Sequence, residues 1–416
     1  MKYKERPEIA VNSPFDSAWI RPECTVRKAF FLRFGGKRTH PSYYFTTKPG
    51  TRMNLFSSYL LSALFAFFQP AGNPAKPTIG MEAAPTDTLR YAEETHLRNL
   101  KQLTFGGNNA EAYFSFSGKS LVFQSDYSGW GNQCDQIYMM SIAGTKGKQP
   151  NRISNGKGRT TCSYFMPGDK TVIFASTHLG SEQCPLTPRV VGGKYVWGIY
   201  DTYDIFLADT KGNISKQLTN APGYDAEATV SPDGKKIVFT STRSGDLELW
   251  TMDIDGSNQR QITFELGYDG GAFFSPDSKK LVFRASRPST PQAAEEYKKL
   301  LAQGLVQPTD LEIFTCNVDG SDLRQITHLG KANWAPFFHP SGKKIIFTTN
   351  HHLPGGRVFN LFSVNLDGSG LTQLTFDKVF DGFPMFSPDG KKFVFSSNRF
   401  NGGGQDTNVF IADWVE

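Results

Sequence analysis

Apolar and polar positions alternate along this chain in one pattern that recurs six times. The clearest copy is Val230-Ser231-Pro232-Asp233-Gly234-Lys235-Lys236-Ile237-Val238-Phe239. Two β-branched or aromatic runs flank a polar turn. Proline presets φ in that turn, and Asp-Gly supplies a side-chain cap and a position for positive φ. The period-2 flanks predict two antiparallel strands. A third run, Leu247–Met252, and a fourth, Arg260–Thr263, follow across the turn Asp255-Gly256-Ser257-Asn258.

The hairpin recurs as FSFSGKSLVF (114–123), FMPGDKTVIF (165–174), FSPDSKKLVF (274–283), FHPSGKKIIF (338–347) and FSPDGKKFVF (386–395). The smallest spacing between copies is 44 residues, between Phe239 and Phe283, near the period of a four-stranded propeller blade. The fourth strand recurs as NRIS (151–154), KQLT (216–219), RQIT (260–263), RQIT (324–327) and TQLT (372–375). The sixth hairpin has a third strand, Asn408–Asp413, but no fourth after it. The missing copy stands at the other end, as Lys101-Gln102-Leu103-Thr104. The fold class is therefore all-β, a six-bladed propeller over 97–416. Its four-stranded blades are closed by an N-terminal strand that joins the last blade and removes the open edges.

These repeats resemble the TolB-like β-propeller family, whose Ser-Pro-Asp-Gly-Lys repeats are WD-like. The resemblance covers about 97–416. It implies the fold more than a function, because such propellers host both binders and enzymes. The family's founding member carries an α/β domain ahead of its propeller, and the segment before residue 97 is expected to lack one.

Charge is uneven. The first 52 residues carry 11 Lys/Arg against 4 Asp/Glu, and the other residues carry 34 against 35. A near-neutral propeller does not offer a nucleic-acid surface. Residues 1–52 lack periodicity and read as a doubtful leader upstream of the true start. From Met53 an uncharged apolar run extends to Phe68, before Pro70 and Pro74. It is shorter than the ~20 residues of a membrane span and fits the apolar part of a signal peptide. Residues 53–75 are thus expected to be a signal peptide, with a hydrophobic anchor as the alternative, and the protein to be periplasmic or otherwise exported. Residues 76–96 form a polar lead-in with helical character from Thr86 to His96. No stable span is expected in the mature protein, and a monomer is.

In a propeller the turns within each hairpin share one face with the Asp-Gly-Ser turns. The loops entering strand one and joining strands two and three share the other, upper face. Two long insertions fall there, 179–203 and 288–310. The second predicts a helix from Pro291 to Gly304, bracketed by Pro288 and Pro308. The resemblance implies a lid beside the channel mouth for this loop.

Aligning the six copies gives candidate site residues. Entry to strand one carries Asn109, Thr160, Asp225, Asp269, Asn333 and Asp381. Two residues on, expected on the same strand face, are Glu111, Cys162, Glu227, Gly271, Ala335 and Phe383. Asn109, Glu111, Asp225, Glu227, Asp269, Asn333 and Asp381 are the candidate channel-mouth binding set. No cofactor is predicted, and a divalent cation bound by these acids is the one candidate. The end of strand two carries Tyr127, His178, Arg243, Arg287, His351 and Arg399, a candidate upper-face ring for an anionic ligand. A plainer reading pairs Arg243 with Glu248 and Arg287 with Glu312 inside their own blades. His178 and His351 fall in opposite blades. Cys134, Cys162 and Cys184 are expected close together, two of them forming a disulfide in an oxidising compartment. Cys316 reads as a buried strand thiol.

There is no nucleophile elbow, phosphate loop or zinc-protease motif. The sequence therefore reads as a binding or scaffold protein with a protein partner, small ligand or glycan at the upper face. The alternative is a metal-dependent lyase or hydrolase acting on an oligosaccharide or peptide through the channel-mouth acids and histidines.

Overall fold

The computed structural model describes residues 88–186, 189–356, 358–401 and 404–416. The leader and the apolar run of 53–75 lie outside the described residues. Six four-stranded antiparallel sheets follow one another as blades. Blade one is Asn109–Phe114, Ser120–Ser125, Gln136–Ser141 and Asn151–Arg152. Blade two is Thr160–Phe165, Thr171–Ser176, Asp204–Asp209 and Ile214–Gln217. Blade three is Asp225–Val230, Lys236–Ser241, Glu248–Asp253 and Arg260–Gln261. Blade four is Asp269–Phe274, Lys280–Ser286, Leu311–Asn317 and Arg324–Gln325. Blade five is Asn333–Phe338, Lys344–Thr349, Asn360–Asn365 and Thr372–Gln373. Blade six is Asp381–Phe386, Lys392–Ser397 and Asn408–Trp414, and the N-terminal strand Leu97–Gln102 completes it.

The turn chemistry is as the repeat predicts. In blade three Ser231 Oγ donates to Asp233 and accepts from Lys235 N and Lys236 N. Phe123, Phe174, Phe239, Phe283, Phe347 and Phe395, the last residue of each hairpin repeat, are all fully buried between blades. At ~25 cal/mol per Å² of apolar surface, each contributes a few kcal/mol of burial.

Every first strand carries a bulge at the same place. Pairing shifts register between 110 and 113, and at the equivalent positions of the other five blades. The residue responsible has positive φ in all six: Glu111 (54°), Cys162 (49°), Glu227 (61°), Gly271 (60°), Ala335 (48°) and Phe383 (58°). Five of the six are not glycine, so each of those backbones sits in a region that costs an L-residue roughly 1–2 kcal/mol. The bulge breaks the strict alternation of side chains. The two aligned columns of the sequence therefore do not share one face.

Below the bulges the channel is filled. Tyr113 of blade one packs against Tyr164 of blade two and, across the axis, Phe273 of blade four, which in turn meets Phe337 of blade five. Above them the two insertions meet. Trp197-Gly198 pairs with Leu305-Val306 in a short ribbon. The predicted helix is present as Pro291–Leu301, capped by Thr290 Oγ1. Residues 88–96 form turns rather than the expected helix, because Glu94 is drawn into blade six. Among the described residues no helix is long and apolar enough to cross a membrane.

Candidate functional site

The first column and the ring are one structure. Arg243 donates to Asp225 at 2.5 Å, Arg287 grips both oxygens of Asp269, and Arg399 reaches both oxygens of Asp381 at 3.0 Å. The three aspartates are 0–1% exposed. This corrects the pairing read from the sequence. Arg243 does not meet Glu248, nor Arg287 Glu312. Glu312 instead accepts from Thr327 and Gly330 N. Glu248 is buried, and burial beside Asp269 and Asp246 pushes its pKa up to about 8. The physical reason is position: an arginine at the end of strand two stands beside the start of strand one, its direct neighbour in the sheet, and a desolvated carboxylate there needs a cation.

The signal was in the sequence. Asp225/Arg243, Asp269/Arg287 and Asp381/Arg399 are each 18 residues apart, and where the first residue is Asn109, Thr160 or Asn333 the partner position holds Tyr127, His178 or His351. In these two columns arginine stands wherever there is an aspartate, and nowhere else. Asn109 and Asn333 instead donate to backbone carbonyls, those of Gly106 and Gly330 in the entering loops and of Thr407 and Leu311 in the preceding blades. His178 and His351 bond Ser176 and Thr349 of their own blades and pack on Phe206 and Phe362. Burial lowers the pKa of both. Among the described residues no group of three or more His, Cys, Asp or Glu is gathered to hold a metal.

The bulge residues make the inner ring. Glu227 of blade three accepts from Thr240, Tyr268, Gly271 N and Arg284. Arg284 comes from strand two of blade four and passes where Gly271 has no side chain; a Cβ there would overlap its Nη1. Burial works to raise the Glu227 pKa, but Arg284 and the three other donors outweigh it and leave it below the usual carboxylate range. Trp197 of the insertion lies over the Arg284 guanidinium, 5.5 Å from it, and edge-on to Tyr268 and Trp334. The ribbon therefore roofs the blade-three and blade-four side of the mouth. Sequence reasoning missed Arg284, Tyr268 and Trp197; Gly271 in an otherwise side-chain-bearing column was the mark of Arg284.

Glu111 is different. Its Oε2 is buried with no hydrogen-bond partner. Burial pushes the carboxyl up to about 7, moderated by a hydrogen bond with the free thiol of Cys162. Adjoining the roof, through the Trp197–Trp334 contact, stands an aromatic wall of partly exposed Phe359, Phe380 and Phe383 around Trp334. At the rim Cys134 and Cys184 form a disulfide that ties the upper loops of blades one and two, leaving Cys162 and Cys316 free.

Residues 198–300 match the family model of the TolB beta propeller domain. The propeller is TolB-like. Similar solved structures include a putative TolB from Agrobacterium tumefaciens, at 20% identity over 74% of this chain and 91% of that one, with a TM-score of 0.47. TolB from Acinetobacter baumannii is 18% identical over 74% of this chain and 63% of that one, with a TM-score of 0.47. An oligogalacturonate lyase in complex with manganese is 15% identical over 76% and 93%, with a TM-score of 0.43. The choice between binding and catalysis rests on the site of this TolB-like chain itself.

Proposed function

We propose that this TolB-like propeller is an exported binding protein whose upper face takes a protein partner. The observation that carries the reading is where apolar surface is left open. Among the described residues, ten of the twelve large exposed hydrophobic side chains lie in upper-face loops: Phe105, Leu179, Leu186, Val190, Tyr195, Phe264, Leu266, Leu353, Val379 and Phe400. Only Leu371 and Val415 lie elsewhere. Apolar side chains clustered on one face of a rigid scaffold mark interaction surfaces. Export is supported by the Cys134–Cys184 disulfide, a bond kept in oxidising compartments.

The competing reading, catalysis through the channel-mouth acids and histidines, has less support. Asp225, Asp269, Asp381 and Glu227 each face an arginine, and the two histidines are held within separate blades. A photo-cross-linking amino acid at position 264, on the upper face, is compared with one at 371, on the turn face, in cells making the full chain. A discrete protein adduct from 264 and none from 371 is expected. Equal adducts from both faces, or none from 264, overturn the reading.

A further inference from the structure

The propeller is near neutral in sum but not turn by turn. The six hairpin turns at 115–120, 166–171, 231–236, 275–280, 339–344 and 387–392 carry ten lysines against four aspartates. In three blades an acid close by answers the second lysine of the turn: Lys236 pairs with Asp253, Lys280 with Asp322 and Lys392 with Asp413. Blade one has no such answer. The repeat offers three positions for acid on the turn face, filled in blade three by Asp233, Asp253 and Asp255. Blade one has Ser117, Ser141 and Ala143 there, and every other blade keeps at least one aspartate. Its turn at 142–150 is also longer than the 254–259 turn of blade three, and brings in Lys146 and Lys148. Thr145 N and Oγ1 both donate to Leu103 O and pin that turn against blade six. Lys119, Lys146, Lys148 and Arg152 are all exposed, and no acid lies within 115–120 or 141–152. Among the described residues none of the four pairs with a carboxylate as the lysines of blades three, four and six do. Asp169 of blade two reaches this patch as a cap on its turn, accepting from Phe116 N and Ser117 N.

We infer that the turn face of blade one docks the propeller on an anionic lipid bilayer. Like charges held together without acids repel one another, and a surface dense in negative charge relieves that repulsion. Each Lys or Arg near an anionic bilayer strengthens attachment about fivefold, an effect that fades within a Debye length. The four together are then worth roughly several hundredfold. The patch suits lipid phosphates better than nucleic acid. Phe116, the one aromatic residue in the two segments, packs against the core and offers no face for stacking a base. Three of the four cations are lysines, which meet phosphates as point charges without the bidentate fork of arginine. Blade one exposes no large hydrophobic side chain on this face, so the attachment is electrostatic and nothing is inserted. The inference concerns the face opposite the partner surface and stands apart from that reading.

The test places a fluorescent amino acid at position 143, in the blade-one turn, or at position 264, on the upper face, of the full chain. Vesicles of phosphatidylcholine and phosphatidylglycerol carry a nitroxide quencher on the lipid headgroup. The basic residues of 1–52 and the apolar run after Met53 can bring the chain to a bilayer unaided, so the readout is which face points at the lipid. Quenching several-fold stronger at 143 than at 264 is expected, and it should fall to parity in high salt. The triple variant Lys119→Ala, Lys146→Ala, Lys148→Ala should lose the difference. Lys235→Ala, Lys279→Ala, Lys391→Ala removes as much charge from turns that each keep an aspartate, and should retain it. Equal quenching at the two positions, no dependence on phosphatidylglycerol, or equal loss in both triple variants overturns the inference. A response at 143 to duplex DNA that the vesicles do not reproduce assigns the patch to nucleic acid and overturns it as well.

Discussion

Replacing Gly271 by alanine tests the inner ring with a built-in control. Ala335 occupies the equivalent bulge of blade five at a φ of 48°, so this backbone already accommodates a Cβ. For Gly271→Ala the backbone then costs ~1–2 kcal/mol of conformational strain, offset by ~0.4–1 kcal/mol from the smaller freedom of the unfolded chain. The net is below about 1.5 kcal/mol. Most of the loss comes from Arg284, whose guanidinium would be overlapped by the new methyl. Driving it out leaves Glu227, 8% exposed, without its cation, and breaking such a pair costs ~3–5 kcal/mol. The expected loss is therefore about 4 kcal/mol, read from urea unfolding followed by tryptophan fluorescence. The Trp197 signal should change in the folded baseline as its cation leaves. Ala335→Gly should shift stability by less than 1 kcal/mol, in the stabilising direction. A loss under about 1.5 kcal/mol for Gly271→Ala would show that Arg284 moves aside freely, and the claim that glycine is there for the arginine would fall.

Other outcomes follow from the same geometry. Glu94, fully buried, bonds both Arg399 Nη1 and Nη2 at 2.9 Å and accepts from Tyr91 N and Phe376 N; Glu94→Ala should cost ~3 kcal/mol. Glu265, which meets Arg287 from a 60% exposed side chain, should cost under ~1 kcal/mol when replaced by alanine. Thermal melts of the two variants side by side check this. Burial raises Glu248 to about 8 and Glu111 to about 7. A carboxyl raised in the fold stabilises below its ordinary pKa and loses that contribution as pH rises through the raised value. Stability should thus fall between about pH 5 and pH 9, and Glu248→Gln should flatten the upper part of that fall. Reducing the Cys134–Cys184 bond, which closes a loop of separation 50, should lower stability by ~2–4 kcal/mol, seen as an earlier melt in reductant.

The ring of blades was legible because its signals are local. A Ser-Pro-Asp-Gly turn writes its own geometry, and the unpaired KQLT at 101–104 announces the closing strand. Spacing narrows the disulfide only to three cysteines, since the folded loops set which two meet. The site was less legible because its geometry depends on a bulge made by Glu, Cys, Glu, Ala and Phe as well as Gly. Nothing in those residue types marks positive φ, so the strands read as regular and the columns as coplanar. The arginine–aspartate pairs could have been found from their constant spacing, had the two columns been read against each other. Glu111 could not, since what sets it apart from Glu227 is the arginine that reaches one and not the other.

The closing strand also decides how the molecule answers to force. Leu97 pairs with Trp414, two residues from the end of the chain. Because this strand is antiparallel to its partner, force applied ahead of it and at Glu416 opens it like a zipper, one bond at a time, instead of shearing all its bonds together. Ahead of that weak line stands Glu94, clasped by Arg399 in the interior of blade six. A tether joined upstream of residue 88 would strain this clasp before it reached any strand bond. The mechanical strength of the ring is set by one buried ion pair outside the sheet, and cutting that pair should lower the rupture force far more than it lowers the melting temperature.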